Sequence, residues 1–375
     1  MKILHVTQTY YPDSRGGIEE VVRQIGLNTR ALGVETRVFT LSKNPNPERV
    51  EIDGIQIFRA PLTLKVASCG MSISALSLFK EQAEWSDIVH YHFPWPFLDL
   101  LHFLVGVKNK LVITYHSDVV RQKKLLLFYR VLMNRFLGSV DAIVATSLNY
   151  VKSSHTLKKY KDKVQVIPIG INKDYYPKPT KKEIEEVKNT VGEGFFLFIG
   201  TLRKYKNLEL LLDAVKGTGL KCVIAGSGPE EKKLKQYADK HGINNVAFLG
   251  RVTDIEKVSL IILCRAIVLP SNKRSEAFGV VLLEGAMHKK PIMSTSLETG
   301  TSFVNESEVT GIVIPHSSVV ACREAMIRLE KEDGLAKKMG EQAYKRYQNI
   351  FTGEQMGRSY VDLYKSLLVK GNSSD

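Results

Sequence analysis

Short apolar runs alternate with helix-length amphipathic stretches along almost the whole of this chain, and that alternation constrains its fold more than any other feature. A run such as "KILHVT" or "DIVHYH" is too short for an ordinary helix and apolar enough for a buried strand. Strands that recur with helices between them build a parallel sheet, because a parallel neighbour is reached only through a crossover.

The first half supplies "KILHVT", "ETRVFTL", "GIQIFRA", "DIVHYH", "KLVITYH", "DAIVATS" and "VQVIPIG". A second series opens at "FFLFIGT" and continues with "KCVIAGSG", "NVAFLG", "AIVLPS", "KPIMSTS" and "TGIVIP". Between them, "GINKDYYPKPTKKEIEEVKNTVGEG" turns to Lys, Pro and Gly and reads as a linker with a surface helix. The expected fold is α/β, with doubly wound domains over residues 1–175 and 176–350 and a helical C-terminal segment over 351–375. In such sheets ligands bind beyond the carboxyl ends of the strands, so the residues after each strand carry most weight.

A net charge of +14 points to an anionic partner: nucleotide phosphates, nucleic acid or an acidic membrane. Cys69, Cys222, Cys264 and Cys322 lack metal-type spacing; Cys222 and Cys264 lie in strand-like apolar runs and are expected to be buried free thiols, which suits a reducing cytosol. "MKILHVTQTYYP" runs directly into a strand and is too brief and polar for a signal peptide. No apolar run reaches the roughly 20 residues needed to span a bilayer.

Several loops are unusual. "YYPDSRGGIEEVVRQ" sets Gly16 and Gly17, beside Arg15, ahead of a helix, where backbone N–H groups can approach an anion; a plain tight turn is the alternative. "ITYHSDVVRQKK" ends a buried strand with His116 and Asp118, a histidine placed either to orient a substrate or to satisfy the core. "IGTLRKYKNLELLLDA" puts Arg203 and Lys206 at another strand end, two cations suited to a diphosphate or simply a solvated basic turn. "IAGSGPEEKKL" offers Gly226, Gly228 and Pro229, but Glu231 breaks the dinucleotide fingerprint. "VVRQKKLLLFYRVLMNRFLG" combines an apolar surface with Arg121, Lys123, Lys124, Arg130 and Arg135, either a membrane-facing helix or a core helix with a charged face.

The most informative stretch is "SEAFGVVLLEGAMHKKP". In a helix, Val280, Val281, Met287 and His288 share the face of Glu284. A carboxylate among apolar neighbours is costly unless something pairs with it.

Together these residues resemble the retaining glycosyltransferases of family 4. "EAFGVVLLE" matches the family's Glu, seven residues, Glu signature, with support from "GGIEE", "TYHSD", "VIPIGIN", "GSGP" and "LPS" in order along nearly the whole chain. The resemblance implies the GT-B fold, two facing Rossmann-like domains with a cleft between them. It implies that Glu284 accepts hydrogen bonds from both ribose hydroxyls of a sugar nucleotide, a diol suited to the two oxygens of a carboxylate. Glu276 would hold hydroxyls of the donor sugar. Phe278, Gly279 and Val280 would offer backbone N–H groups at a helix N-terminus, with Gly16, Gly17 and Gly226 also on the donor side. Arg203 and Lys206 would neutralise the leaving diphosphate. His116 would contact the donor sugar without acting as nucleophile, and Asp118 with Arg121, Lys123, Lys124 and Arg130 would serve the acceptor or membrane side. No cofactor or essential metal is expected. In a retaining reaction of this kind the departing phosphate oxygen takes the acceptor's proton as the new bond forms on the same face.

The chain departs from the family pattern at Thr201, where Arg is common and Arg203 would substitute, at Ile169, where many members have Asn, and at Gly353, where many have Trp. The C-terminal "SYVDLYKSLLVK" is expected to cross back to the first domain. "LETGTSFVN", residues 297–305, resembles the bacterial O-antigen mannosyltransferases that use GDP-mannose. Their acceptors are polyprenyl-diphosphate-linked saccharides, which implies a cytoplasmic protein, peripheral on the inner face of the membrane and drawn to its anionic surface.

Two other readings are carried forward: a UDP-sugar-dependent retaining transferase with a soluble acceptor, and a non-catalytic nucleotide-sugar-binding protein. Retention of His116, Lys206, Glu276 and Glu284 argues against the second. A dehydrogenase is disfavoured because "TQTYYPDSRGG" is no dinucleotide loop, and nucleic-acid binding because the basic residues lack interleaved exposed aromatics.

Overall fold

The structure, a computed structural model, describes residues 1–66, 68–119 and 123–372, with side chains for all of these except 123–128 and 370–372. Its contacts divide the chain into two compact units, Met1–Gly170 together with residues from Gly353 onward, and Ile171–Thr352.

In the first unit the strands are β1 (Lys2–Val6), β2 (Glu35–Ser42), β3 (Arg49–Ile52), β4 (Ile55–Pro61), β5 (Leu64–Val66), β6 (Cys69–Met71), β7 (Ile88–Phe93), β8 (Lys110–Tyr115), β9 (Ala142–Ala145) and β10 (Val164–Val166). Eight of them form one sheet in the order β10-β9-β8-β7-β1-β2-β4-β3. Its neighbours are parallel except β3 against β4. Strand order reverses beside β1, the switch point at which doubly wound sheets open a crevice. Every residue of β7 is buried, as expected of a strand covered on both faces.

The β3–β4 hairpin and the antiparallel β5–β6 ribbon are additions to the expected strands. The hairpin did have a sequence signal. In "VEIDGIQIF", Asp53 and Gly54 both take positive φ, 53° and 73°, the conformation that a two-residue Asp-Gly turn favours.

The second unit holds β11 (Phe196–Ile199), β12 (Cys222–Ala225), β13 (Val246–Gly250), β14 (Ala266–Leu269), β15 (Ile292–Thr295) and β16 (Gly311–Ile314). All are parallel, in the order β13-β12-β11-β14-β15-β16, with the switch point between β11 and β14. Cys222 lies on β12 as expected, whereas Cys264 caps the helix Asp254–Leu263 just before β14; both are buried. The surface helix of the linker runs from Lys181 to Val191. Thr180 and Glu183 cap each other's backbone there, an arrangement that contributes about 1 kcal/mol to a helix start.

The C-terminal region forms two helices, Asp333–Ile350 and Gly353–Asn372, and the second packs within the first unit. A Cβ at Gly353 would fall 2.5 Å from the Asn28 side chain, and one at Gly357 2.8 Å from it. At position 353 any side chain would have to displace the buried Asn28 amide of the helix Gly17–Arg30, which favours glycine there. Tyr360 and Tyr364 then reach the sheet, bonding Thr114 at 2.8 Å and His90 at 2.7 Å.

Candidate functional site

In the second unit, chain order sends β11 and β14 side by side across the switch point, so the loops that follow them meet. After β11 comes the turn Lys204–Lys206, and after β14 the segment from Ser271 to Glu276. Lys206 donates through Nζ to Oε2 of Glu276, and Ser271 donates its hydroxyl to the same oxygen at 2.8 Å. Lys206 and Glu276 are only 9% and 6% exposed, so this is a buried charge pair, of the kind that holds geometry more than it adds stability. Burial alone would lower the Lys206 pKa. The Glu276 carboxylate, with Tyr205, outweighs it and keeps the ammonium above the ordinary lysine value. Oε1 of Glu276 has no hydrogen bond among the described residues. Arg203 and Thr201 are exposed in the same loop.

Gly226 holds that loop in place. Its φ is +137°, and a Cβ there would fall 2.0 Å from the carbonyl oxygen of Gly200. Leu202 N–H donates to Ser227 O at 3.0 Å across the same contact. Gly226 therefore brings the turn after β12 against the basic loop.

Glu284 lies in the helix Val280–Met287 and is 5% exposed. Its carboxylate is already engaged: Oε1 accepts from Tyr176 Oη at 3.1 Å and from Lys257 Nζ at 3.0 Å. The Lys257 ammonium also lies 5.0 Å from the centroid of the Tyr176 ring. Sequence reasoning missed both partners. Tyr176 sits in the stretch read as linker, and Lys257 on the helix Asp254–Leu263, for which no role was expected. Neither has a local signal, since the pairing arises from folding.

The helix of Glu284 begins where expected. Gly279 is its N-cap, with φ +82°, and a Cβ there would meet Leu269 at 2.7 Å. Phe278 is buried and packs edge-on to Phe351 at 6.1 Å. The segment 297–305 docks directly on this loop: Thr299 donates its hydroxyl to Glu276 O at 2.8 Å, and Gly300 N–H donates to Ala277 O at 2.7 Å. The "LETGTSFVN" stretch thus supports Glu276 through its backbone. Glu276, Phe278, Gly279, Val280 and Glu284 follow one another along the loop and helix after β14, with Lys206 bonded to the first of them.

In the first unit, His116 follows β8 and is 7% exposed, with Nε2 3.0 Å from Nδ1 of His92 on β7. Burial pushes the His116 imidazole down to about 4, so it is neutral at physiological pH. Asp118 serves as a local tie: Oδ1 accepts from Tyr115 Oη at 2.9 Å and Ser154 Oγ at 2.6 Å, while its N–H donates to Tyr150 Oη at 2.7 Å. Gly16 and Gly17 do start a helix, Gly17–Arg30, but a protein carboxylate already stands there. Glu19 is buried and accepts from Thr9 at 2.8 Å and Ser14 at 2.6 Å, and its Oε2 lies 2.7 Å from where a Cβ on Gly16 would be. Glycine at 16 makes room for that carboxylate.

The basic-apolar stretch forms the helix Lys123–Ser139. Arg121 lies outside the described residues, as do the side chains of Lys123 and Lys124. Arg130 is exposed, and Arg135 lays its guanidinium 5.0 Å from the Phe103 ring centroid. Val131 on this helix, with Leu100 and Leu104 on the helix Pro96–Val105, are large exposed apolar side chains. Among the described residues no helix is long and apolar enough to cross a membrane.

Comparison with known proteins gives a consistent result. The profile described as Glycosyltransferase Family 4 matches residues 15–175, and that of Glycosyl transferases group 1 matches residues 180–346. The chain is 47% identical to the D-rhamnosyltransferase WbpZ of Pseudomonas aeruginosa, over 94% of this chain and 92% of that protein. It is 42% identical to O-antigen chain mannosyltransferase C of Escherichia coli, over 98% and 99% of the two chains. Among solved structures, sucrose-phosphate synthase from Thermosynechococcus elongatus aligns with a TM-score of 0.80 at 19% identity, covering 98% of this chain and 99% of that one. Anabaena HepE in complex with UDP-glucose aligns with a TM-score of 0.78 at 18% identity, covering 98% and 100%. At such identities the structural likeness speaks for the fold alone.

Proposed function

The chain belongs to glycosyltransferase family 4, with the GT-B fold of two Rossmann-like units, and we propose that it moves an α-linked sugar of D-manno configuration from a GDP donor to a lipid-linked saccharide in O-antigen synthesis. The observation that carries the transferase reading is the buried Lys206–Glu276 pair at the β11–β14 switch point, with Glu284 on the helix that follows Glu276. D-Rhamnose is the 6-deoxy form of D-mannose, so the names of both relatives point to the same ring configuration and leave only C6 open.

In this reading Glu284 holds the ribose diol and Glu276 holds hydroxyls of the transferred sugar. Lys206 and Arg203 meet the diphosphate, whose negative charge grows as the bond from C1 to the phosphate oxygen breaks. The acceptor hydroxyl forms its bond to C1 on the same face, and its proton passes to the departing phosphate oxygen. Electrostatic stabilisation of that leaving group is the chemistry the cations supply. His116, neutral, offers a hydrogen bond to a sugar hydroxyl. The exposed Val131, Leu100 and Leu104 beside Arg130 and Arg135 suit a peripheral contact with an anionic membrane.

A thermal-shift titration with GDP, GDP-mannose, GDP-D-rhamnose, UDP and UDP-glucose tests the donor. Selective binding raises the midpoint in a concentration-dependent way. A rise with the guanine compounds alone supports the reading; a rise with the uracil compounds alone overturns the donor and keeps the family chemistry. Sedimentation with phosphatidylglycerol vesicles, lost at high salt, tests the membrane contact.

A further inference from the structure

The sheet of the first unit buries three more histidines that no role above uses: His5 on β1, and His90 and His92 on β7. His5 pairs in register with His90, and His90 and His92 lie two residues apart, so all three occupy one face of the sheet. We propose that His5 and His92 form a hydrogen-bond relay that holds His116 in the tautomer with its proton on Nδ1, making His92 and His5 positioning residues for the transfer. The inference rests on the reading of His116 as a sugar-contacting residue.

Two contacts and one unpartnered nitrogen define the relay. His5 Nδ1 lies 3.0 Å from His92 Nε2, and His92 Nδ1 lies 3.0 Å from His116 Nε2. The far end, His5 Nε2, is buried with no partner among the described residues. Burial keeps all three rings neutral, with His5 pushed down to about 3, His116 to about 4 and His92 well below its ordinary value. A neutral imidazole has one donor and one acceptor nitrogen, so every bond in the row must point the same way. If the row pointed towards His5, its Nε2–H would be a buried donor with nothing to receive it. If it points towards His116, His5 Nε2 is a bare lone pair, the less costly orphan. The second direction makes His92 Nδ1–H donate to His116 Nε2. His116 then keeps its proton on Nδ1 and meets a ligand as a donor, and its Nε2 is unavailable as a base.

One ring nitrogen from each of His5, His90 and His92 lies within 4.8 Å of the other two, which raises a metal site as the competing use. The bonding pattern opposes it. Both nitrogens of His90 are taken, by Tyr364 Oη at 2.7 Å and Thr114 Oγ1 at 2.7 Å, and both of His92 by His5 and His116. His90 and His92 stack at 25°, with centroids 4.7 Å apart.

Long-range ¹H–¹⁵N spectra of protein labelled at its nine histidines read the tautomers directly, with His116 assigned by its loss in His116→Gln. The expected result is a neutral His116 protonated on Nδ1 in the unmodified protein. His92→Phe removes the donor and should shift His116 towards the Nε2-protonated form, with kcat falling about tenfold, the scale of one lost hydrogen bond. His92→Asn puts an amide N–H near the position of Nδ1–H and should restore most of both. An Nε2-protonated His116 in the unmodified protein, an unchanged tautomer in His92→Phe, or stoichiometric bound transition metal would overturn the relay. The last needs no variant to fold, and the first needs only His116→Gln, for the assignment. The turnover of His116→Ala separates the two ideas: undiminished turnover discards the sugar contact, while the spectra still decide the relay.

Discussion

Lys257 sets its ammonium 3.0 Å from Oε1 of Glu284, the same oxygen that Tyr176 reaches with its hydroxyl at 3.1 Å. Two donors on one oxygen answer how a buried carboxylate is kept among Leu282, Leu283 and Met287. They also orient it, because Oε2 is left without a partner among the described residues and retains two lone pairs for a diol.

Tyr176→Phe should therefore weaken GDP binding about five- to tenfold, the scale of one hydrogen bond to a charged group, with little change in melting midpoint. Glu284→Gln should weaken it further. Calorimetric titration measures both, and wild-type affinity in Glu284→Gln would remove the ribose role.

Lys206 and Glu276 call for a test that separates stability from chemistry. Lys206→Ala leaves Glu276 buried without its cation, a change that costs about 3–5 kcal/mol in comparable pairs. Its turnover should fall by roughly 10²–10³. The double variant Lys206→Met, Glu276→Gln removes both charges and should recover most of the stability but none of the turnover. Recovery of activity in the double variant would mean that the pair serves the fold alone.

Acid should destabilise the first unit. His5, His90, His92, His102 and His116 all have their pKa values lowered by burial, with His5 at about 3 and His102 and His116 at about 4. Below the unperturbed histidine value of 6.5 the unfolded chain binds protons that the folded chain refuses, so stability falls as pH drops from there towards 4. Each histidine contributes at most about 1.4 kcal/mol per pH unit. Urea midpoints at pH 7.5 and pH 5 should differ clearly, and equal midpoints would mean that the histidines titrate normally.

Asp99 carries the opposite sign. Burial pushes its carboxyl up to about 8, against the hydrogen bond from Tyr129, and its Oδ1 has no partner among the described residues. The folded chain holds a proton that the unfolded chain has released, so this group's contribution is lost as pH rises from about 4 to about 8. Asp99→Asn should raise stability more at pH 8 than at pH 5, by about 1–3 kcal/mol at the higher pH. An equal effect at both values would place the Asp99 pKa outside that window.

Much of the architecture was legible from local pattern. Every strand named from its apolar run is present, as is the helix that carries Glu284, because burial on both faces and helical periodicity are written in consecutive residues. The β3–β4 hairpin escaped notice although Asp53-Gly54 announced it. The solvated-turn alternative for Lys206 fails on its burial, which nothing in "LRKYKN" announces.

By itself, then, the sequence determined two series of buried parallel strands, the spacing of Glu276 and Glu284 on one loop and helix, and basic or glycine-containing loops at strand ends. Only the tertiary structure decided what those groups touch: Lys206 with Glu276 across 70 residues, Tyr176 with Glu284 across 108, and His5 with His92 across 87. The physical reason is one of range. Periodicity and turn chemistry act between near neighbours, whereas a charge or hydrogen-bond partner is chosen by strand order and register, which bring distant loops to one edge of a sheet.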